Sequence, residues 1–299
     1  MLGVRKKYFE MSFFARFIIL FILAGFICGG MLKIDQQNTE PMPSLIAGEE
    51  HRILYKNQDI LYYIPTNLDT ASTKIFFVIH GASRTYESYF DKWMNTNVAE
   101  DENVVIISPH FDINVFSHYQ ILNIWGIRAD NRLIQIFNVF TEWLELDADR
   151  FYIFGFSGGG QFVHRFSMVH PHLIDRGIIG APGWYTFPNN TLYPYGTKTT
   201  IFHPRTLKFE LETMLSLPLG LVVGEDDVER TSNLLQTPKA DEQGLNRLER
   251  SANWFNAMNN TAVENGWSFN FEYEVVPNAG HSSSKMIPDS INFLFGGGF

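Results

Sequence analysis

The stretch Arg150-Phe-Tyr-Ile-Phe-Gly-Phe-Ser-Gly-Gly-Gly-Gln161 constrains the fold of this chain more than any other. An apolar run, 151–154, enters Gly155-Phe156-Ser157-Gly158-Gly159, and a helical pattern follows from Gln161. Gly-x-Ser-x-Gly between a strand and a helix is the context in which a serine hydroxyl is presented outward on a sharp, strained turn. A side chain on Gly155 or Gly159 would collide with the neighbouring strand or helix. The N–H of Gly158 would open a helix whose dipole favours negative charge. Ordinary glycine-rich turns show the same pattern, so partners for the serine must come from elsewhere in the chain.

Strand-like runs recur at 52–55, 60–64, 75–79, 104–108, 176–179, 219–223 and 269–276, the first two joined by a turn around Asn57-Gln58-Asp59. Helical patterns fall between the later ones, at 87–98, from an N-cap at Asn131, over 161–169, over 244–266 and over 286–294. In the 244–266 helix, Leu248, Ala252, Phe255 and Met258 form one apolar side. Strands alternating with helices predict an α/β fold with a mostly parallel central sheet and helices on both faces. In such sheets ligands bind beyond the carboxyl ends of the strands. His80, Ser157, the pair Asp226 and Asp227, and His281 each stand at the end of a predicted strand.

Length and composition bound the rest. With 299 residues, 45% of them hydrophobic, the chain can bury one large core. A net charge of -9 with no basic patch argues against nucleic acid. The sole cysteine, Cys28, provides neither a disulfide framework nor a cysteine metal site. His164, His170 and His172 cluster near a helix end but lack a carboxylate at ligand spacing, so no metal and no cofactor is expected. Arg5, Lys6, Lys7 and Arg16 precede an uncharged apolar run at 17–32. That run is about 24 Å long as a helix, short of a bilayer core of about 30 Å. Residues 1–32 read as a signal peptide cleaved after Gly30 or as a signal-anchor, which puts the body outside the cytoplasm and limits membrane contact to an uncleaved 17–32 segment. Residues 33–50, with Pro41 and Pro43, read as a tether, and 51–299 as the catalytic domain.

A serine hydroxyl is a poor nucleophile until a base removes its proton, and histidine is the natural base. The histidine in turn needs a carboxylate to fix its tautomer. The chain supplies Ser157, then Asp226 or Asp227, then His281. Of nine histidines, His281 alone follows the last strand with a glycine before it. Oxyanion donors are expected from the N–H of Gly158 and from the loop after the third strand, with Ala82 first and Ser83 behind it.

From about residue 51 to the C-terminus the chain resembles the α/β-hydrolase superfamily. His80-Gly81, Gly155-Phe-Ser157-Gly-Gly159, Gly224-Glu-Asp-Asp227 and Gly280-His281 stand in that superfamily's order. The acid there commonly lies three residues after the glycine, which favours Asp227 over Asp226. Within the superfamily the chain is most similar to secreted esterases of the polyhydroxybutyrate-depolymerase and feruloyl-esterase type. Those enzymes often contain disulfides, which a body without cysteine cannot form. The resemblance implies a serine hydrolase that cleaves small or polymeric carboxylic esters through a Ser157–Asp227–His281 triad. Peptidase, thioesterase and acyltransferase activity on the same fold are the alternatives, and a non-catalytic binding protein is the rival from another class. Residues 184–218, rich in aromatics, lie where these folds carry a cap. Trp184 and Tyr185 are therefore expected to line the substrate site.

Overall fold

The computed structural model describes residues 44–122, 126–199 and 207–299. The leader at 1–32 and most of the tether lie outside the described residues, as do residues 200–206 of the aromatic insertion. The described part opens on an antiparallel hairpin of β1 (Glu50–Tyr55) and β2 (Gln58–Tyr63). Lys56 and Asn57 form its turn with φ of 47° and 60°, the left-handed pair that matches strand twist in a two-residue connection. The turn thus comes earlier than the expected 57–59, and Asp59 sits in the strand, paired with Arg52 across the hairpin.

Next come β3 (Lys74–Ile79), α1 (Tyr86–Met94), α2 (Val98–Asp101), β4 (Val104–Pro109), α3 (Ala129–Trp143), β5 (Phe151–Phe156), α4 (Gly158–Val169) and β6 (Ile174–Gly180). Within the insertion, β7 (Phe187–Leu192) and β8 (Gly196–Lys198) form a separate two-stranded sheet. The chain continues through α5 (Leu211–Leu215), β9 (Leu219–Gly224), α6 (Pro238–Asp241), α7 (Arg247–Asn265), β10 (Phe271–Val276) and α8 (Ser283–Ile291). The main sheet has eight strands in the order β1-β2-β4-β3-β5-β6-β9-β10, parallel from β4 to β10. The chain leaves β3 for β4 on one side and returns to β5 on the other. Between β3 and β5 lies the point where strand order reverses, the place where open sheets of this kind hold their ligands.

Alternation along the strands splits the core in two. Ile75, Phe77, Ile79 and Ile153 face one layer with Phe137, Phe162 and Trp254. Phe76, Val78 and Phe154 face the other, with Trp93, Met286 and Ile287. Both faces are covered, which is why these strands read as unbroken apolar runs.

Two helices depart from the sequence reading. α3 begins at Ala129, capped by Arg128 rather than Asn131. Asp130 turns inward there, taking Arg128 and His170 onto its carboxylate. α7 begins at Arg247 with Asn246 as its cap, accepting from the N–H of Glu249 at 2.9 Å. Its buried face is Arg247, Arg250, Ser251, Trp254, Met258 and Ala262, so of the expected apolar side only Met258 is buried. An apolar count misses this face because two guanidiniums occupy it. Arg250 donates to the carbonyls of Gly183 and Gly244 at 2.5 and 2.8 Å and to Asp241 at 2.9 Å. Among the described residues no helix is long and apolar enough to cross a membrane.

Candidate active site

Ser157 stands at the carboxyl end of β5 with φ 57° and ψ -112°. This is a conformation that costs a non-glycine residue energy and persists only where its surroundings enforce it. They do so here by contact. A Cβ on Gly155 would run into the carbonyl of Gly159, and one on Gly159 into the carbonyl of Ile79. The N–H of Ser157 donates to Gly180 O at 2.7 Å, and its carbonyl accepts from Gln161 at 3.0 Å. The turn is thereby pinned to β6 on one side and α4 on the other.

The loops after β9 and β10 meet over this turn. The N–H groups of Glu225 and Asp226 donate to the carbonyls of Val276 and Ala279 at 2.9 and 2.8 Å. This zipper brings Asp227 under His281: Nδ1 of His281 lies 2.7 Å from Oδ2 of Asp227, and Nε2 lies 3.0 Å from Oγ of Ser157. A carboxylate only accepts, so Nδ1 carries the proton and Nε2 is free to accept from the serine. The Phe156 ring lies 4.6 Å from the imidazole, centroid to centroid, and braces it. Asp226 is exposed and contributes its backbone rather than its carboxylate.

Asp227 is 2% exposed, and so is its second partner, Arg247, which donates to Oδ1 at 3.2 Å. The two carboxylate oxygens are divided between a permanent cation and the imidazole. Arg247 also donates to Asn233 O at 3.0 Å, tying down the loop after β9. The sequence reading missed Arg247. The signal for it was its place on the inward stripe with Ser251, Trp254 and Met258.

On the opposite side, the loop after β3 is held by His80. This imidazole is fully buried. Its Nε2 accepts from Phe111 N–H at 3.0 Å, and its Nδ1 donates to Gly81 O at 2.8 Å. Burial, with His110 and Arg84 adding repulsion, pushes its pKa down to about 3, so it is neutral. Tyr119 donates to His80 O at 2.7 Å. Arg84 ties the same loop to the carbonyls of Phe111, Phe116 and Ser117. The product of this bracing is the backbone of Ala82. A Cβ built on Gly158 would stand 2.9 Å from Ala82 N and 2.7 Å from Tyr119 Oη. Among the described residues neither the N–H of Ala82 nor that of Gly158 meets an acceptor. The backbone of Ala82 thus packs against Gly158 at the start of α4, next to Ser157. Ser83, the alternative, is exposed on the cleft wall.

A cavity of about 690 Å³ opens over Ser157 and His281, bounded by the Gly81-Ala82-Ser83 loop, Tyr89, Lys92 and Asn233. No described residue of the 184–218 insertion lines it, which corrects the expectation for Trp184 and Tyr185. Tyr185 is fully buried and stacks on Trp254 with centroids 5.0 Å apart. Trp184 lies under the Arg165 guanidinium, whose carbon stands 4.2 Å from the centroid of the indole ring, and against Tyr195. These rings fill the junction between α4, α7 and the small sheet, where apolar area counts for more than access to substrate. Of the three clustered histidines, His170 and His172 stay edge to face with centroids 6.5 Å apart, and His164 stands away from them. His164 accepts from Thr186 N–H and donates to Gly160 O, both at 3.1 Å, while His170 pairs with Asp130.

No family model and no curated protein matches the sequence. Solved structures do. The chain is similar to poly(aspartic acid) hydrolase-1 from Sphingomonas sp. KT-1, with 25% identity, a TM-score of 0.75, and coverage of 83% of this chain and 99% of that one. It is similar to LpqC, a poly(3-hydroxybutyrate) depolymerase from Bordetella parapertussis, at 24% identity, a TM-score of 0.73, and coverage of 84% and 91%. A fluorophosphonate-binding serine hydrolase from Staphylococcus aureus shares the fold at 13% identity, with a TM-score of 0.54 over 85% of this chain and 99% of that one. Sheet order, the strained serine turn at the strand-order reversal and these likenesses agree, and the chain belongs to the α/β-hydrolase superfamily.

Proposed function

We propose that this hydrolase cleaves carboxylic esters through an acyl-enzyme on Ser157. His281 takes the hydroxyl proton as Oγ bonds to the acyl carbon, and the carbonyl oxygen becomes an oxyanion that accepts from the N–H groups of Gly158 and Ala82. The ester C–O bond then breaks, and His281 returns the proton to the departing alkoxide. Water then enters and gives a proton to His281 as its oxygen bonds to the acyl carbon; the bond from that carbon to Oγ of Ser157 breaks, His281 returns the proton to Oγ, and the acid leaves. Asp227 holds the imidazole in the required tautomer. The observation that carries this reading is the bridge itself, with His281 3.0 Å from Ser157 and 2.7 Å from Asp227. A fluorophosphonate should label Ser157, and Ser157→Ala should lose activity by a factor on the order of 10⁶. Retained esterase activity in purified Ser157→Ala protein overturns the mechanism. Absence of labelling in folded protein revives a non-catalytic binding role.

Amide cleavage is the second reading, favoured by the 25% identity to a poly(aspartic acid) hydrolase over 99% of its length. A panel of ester, thioester and amide substrates, with and without alcohol acceptors, separates esterase from thioesterase, peptidase and acyltransferase. The basic flank and the apolar run at 17–32 support an extracytoplasmic location, either released or anchored.

A further inference from the structure

We infer that the cleft over Ser157 selects esters bearing a second, ionised carboxylate, and that Lys92 recognises it. The inference rests on the ester-hydrolase reading and names its substrate class. The cavity wall is hydrophilic: Ser83, Thr85, Ser232, Asn233, Ser282 and Ser283 all line it. A plain alkyl or aryl ester would desolvate these groups without pairing them, at a cost for each. Among the described lining residues Lys92 is the one lysine or arginine, and there is no aspartate or glutamate. That is against the composition of a chain with 32 acidic residues and 23 basic ones.

The ammonium of Lys92 is braced from two sides. Its Nζ donates to Ser283 Oγ at 2.9 Å and stands 5.0 Å from the centroid of Tyr89. The lysine ion pairs among the described residues belong to Lys208 and Lys239 instead. An ammonium has three donors, so two remain for a ligand oxygen. Ser283 also opens α8, and the dipole of that helix favours an anion at the same spot. Asp226 and Glu229 line the adjoining hollow, on the far side of Asn233 and His281. A carboxylate is thus attracted at the Lys92 end and repelled at the other, which sets the direction in which an ester enters.

The test pairs charged esters with neutral counterparts. One arm uses monoesters of short dicarboxylic acids, with the charge on the acyl side. The other uses acetyl esters of hydroxy acids, with the charge on the alcohol side. In each arm the comparison is the same molecule with its carboxylate capped as a primary amide. The full chain should favour the charged member of at least one arm by about tenfold or more in kcat/KM. Lys92→Gln should bring that ratio close to one, Lys92→Arg should keep most of it, and added salt should erode it. A wild-type ratio near one in both arms, or a ratio that Lys92→Gln leaves intact, overturns the proposal while ester hydrolysis stands. Because Lys92 also joins α1 to α8, the thermal midpoint of each variant is measured alongside, and a ratio taken within one variant cancels any loss of folded protein. If no ester is cleaved and Ser157 resists the fluorophosphonate, the ester-hydrolase reading falls and this proposal with it.

Discussion

At the scale of single residues the site is a hydrogen-bonded chain, Arg247–Asp227–His281–Ser157. Asp227 is buried between two partners, whereas the side chain of its neighbour Asp226 is exposed. Asp227→Asn should therefore lower kcat by roughly 10³- to 10⁴-fold, because the amide favours the wrong imidazole tautomer. Asp226→Asn should change it only a few-fold, and steady-state kinetics on the two variants decides the assignment. Removing the cation is a separate matter. Arg247→Met leaves a buried carboxylate without its permanent partner, which costs about 3–5 kcal/mol when one member of a buried pair is lost. Urea unfolding of the variant measures this, and a loss under about 1 kcal/mol would mean that solvent reaches Asp227. Gly158→Ala acts on the oxyanion donors, since its Cβ would crowd Ala82 N and Tyr119 Oη. Displacing one such donor should cost roughly 10²- to 10³-fold in kcat.

At the scale of elements, the strand ends were readable because each apolar run stops at a polar residue, a glycine or a proline. The helix faces were less so. α7 buries Arg247 and Arg250, and a pattern of apolar residues cannot reveal a face whose cations find their acceptors only in other segments. Its start, by contrast, is a local device. Asn246 accepts from Glu249 N–H while Glu249 reaches back to Leu245 N–H at 2.7 Å, a reciprocal cap. Asn246→Ala should cost about 1 kcal/mol of stability, read from the shift in urea midpoint. Because this helix carries Arg247, the same variant tests whether fraying its first turn also slows catalysis.

At the scale of the whole molecule, two neutral histidines are sealed in the core. Burial pushes His80 down to about 3 and His164 well below its usual value, with Arg165 beside the latter. The unfolded chain takes up these protons below about pH 6.5 and the native protein does not. Stability present above pH 6.5 should therefore be lost as the pH falls, by up to about 1.4 kcal/mol per pH unit for each histidine. Unfolding free energies that stay level between pH 7 and 5 would contradict neutral buried imidazoles. The sequence by itself determined the mostly parallel sheet, the serine turn and the chain order of serine, aspartate and histidine, because strand burial and turn strain are written in local residue types. It left open which aspartate meets His281, and it misjudged Trp184 and Tyr185. Only the tertiary structure decided these points. The loops after β9 and β10 meet through backbone hydrogen bonds that carry no side-chain signature. An aromatic residue, for its part, reads the same in a chain whether it fills a core or faces a substrate.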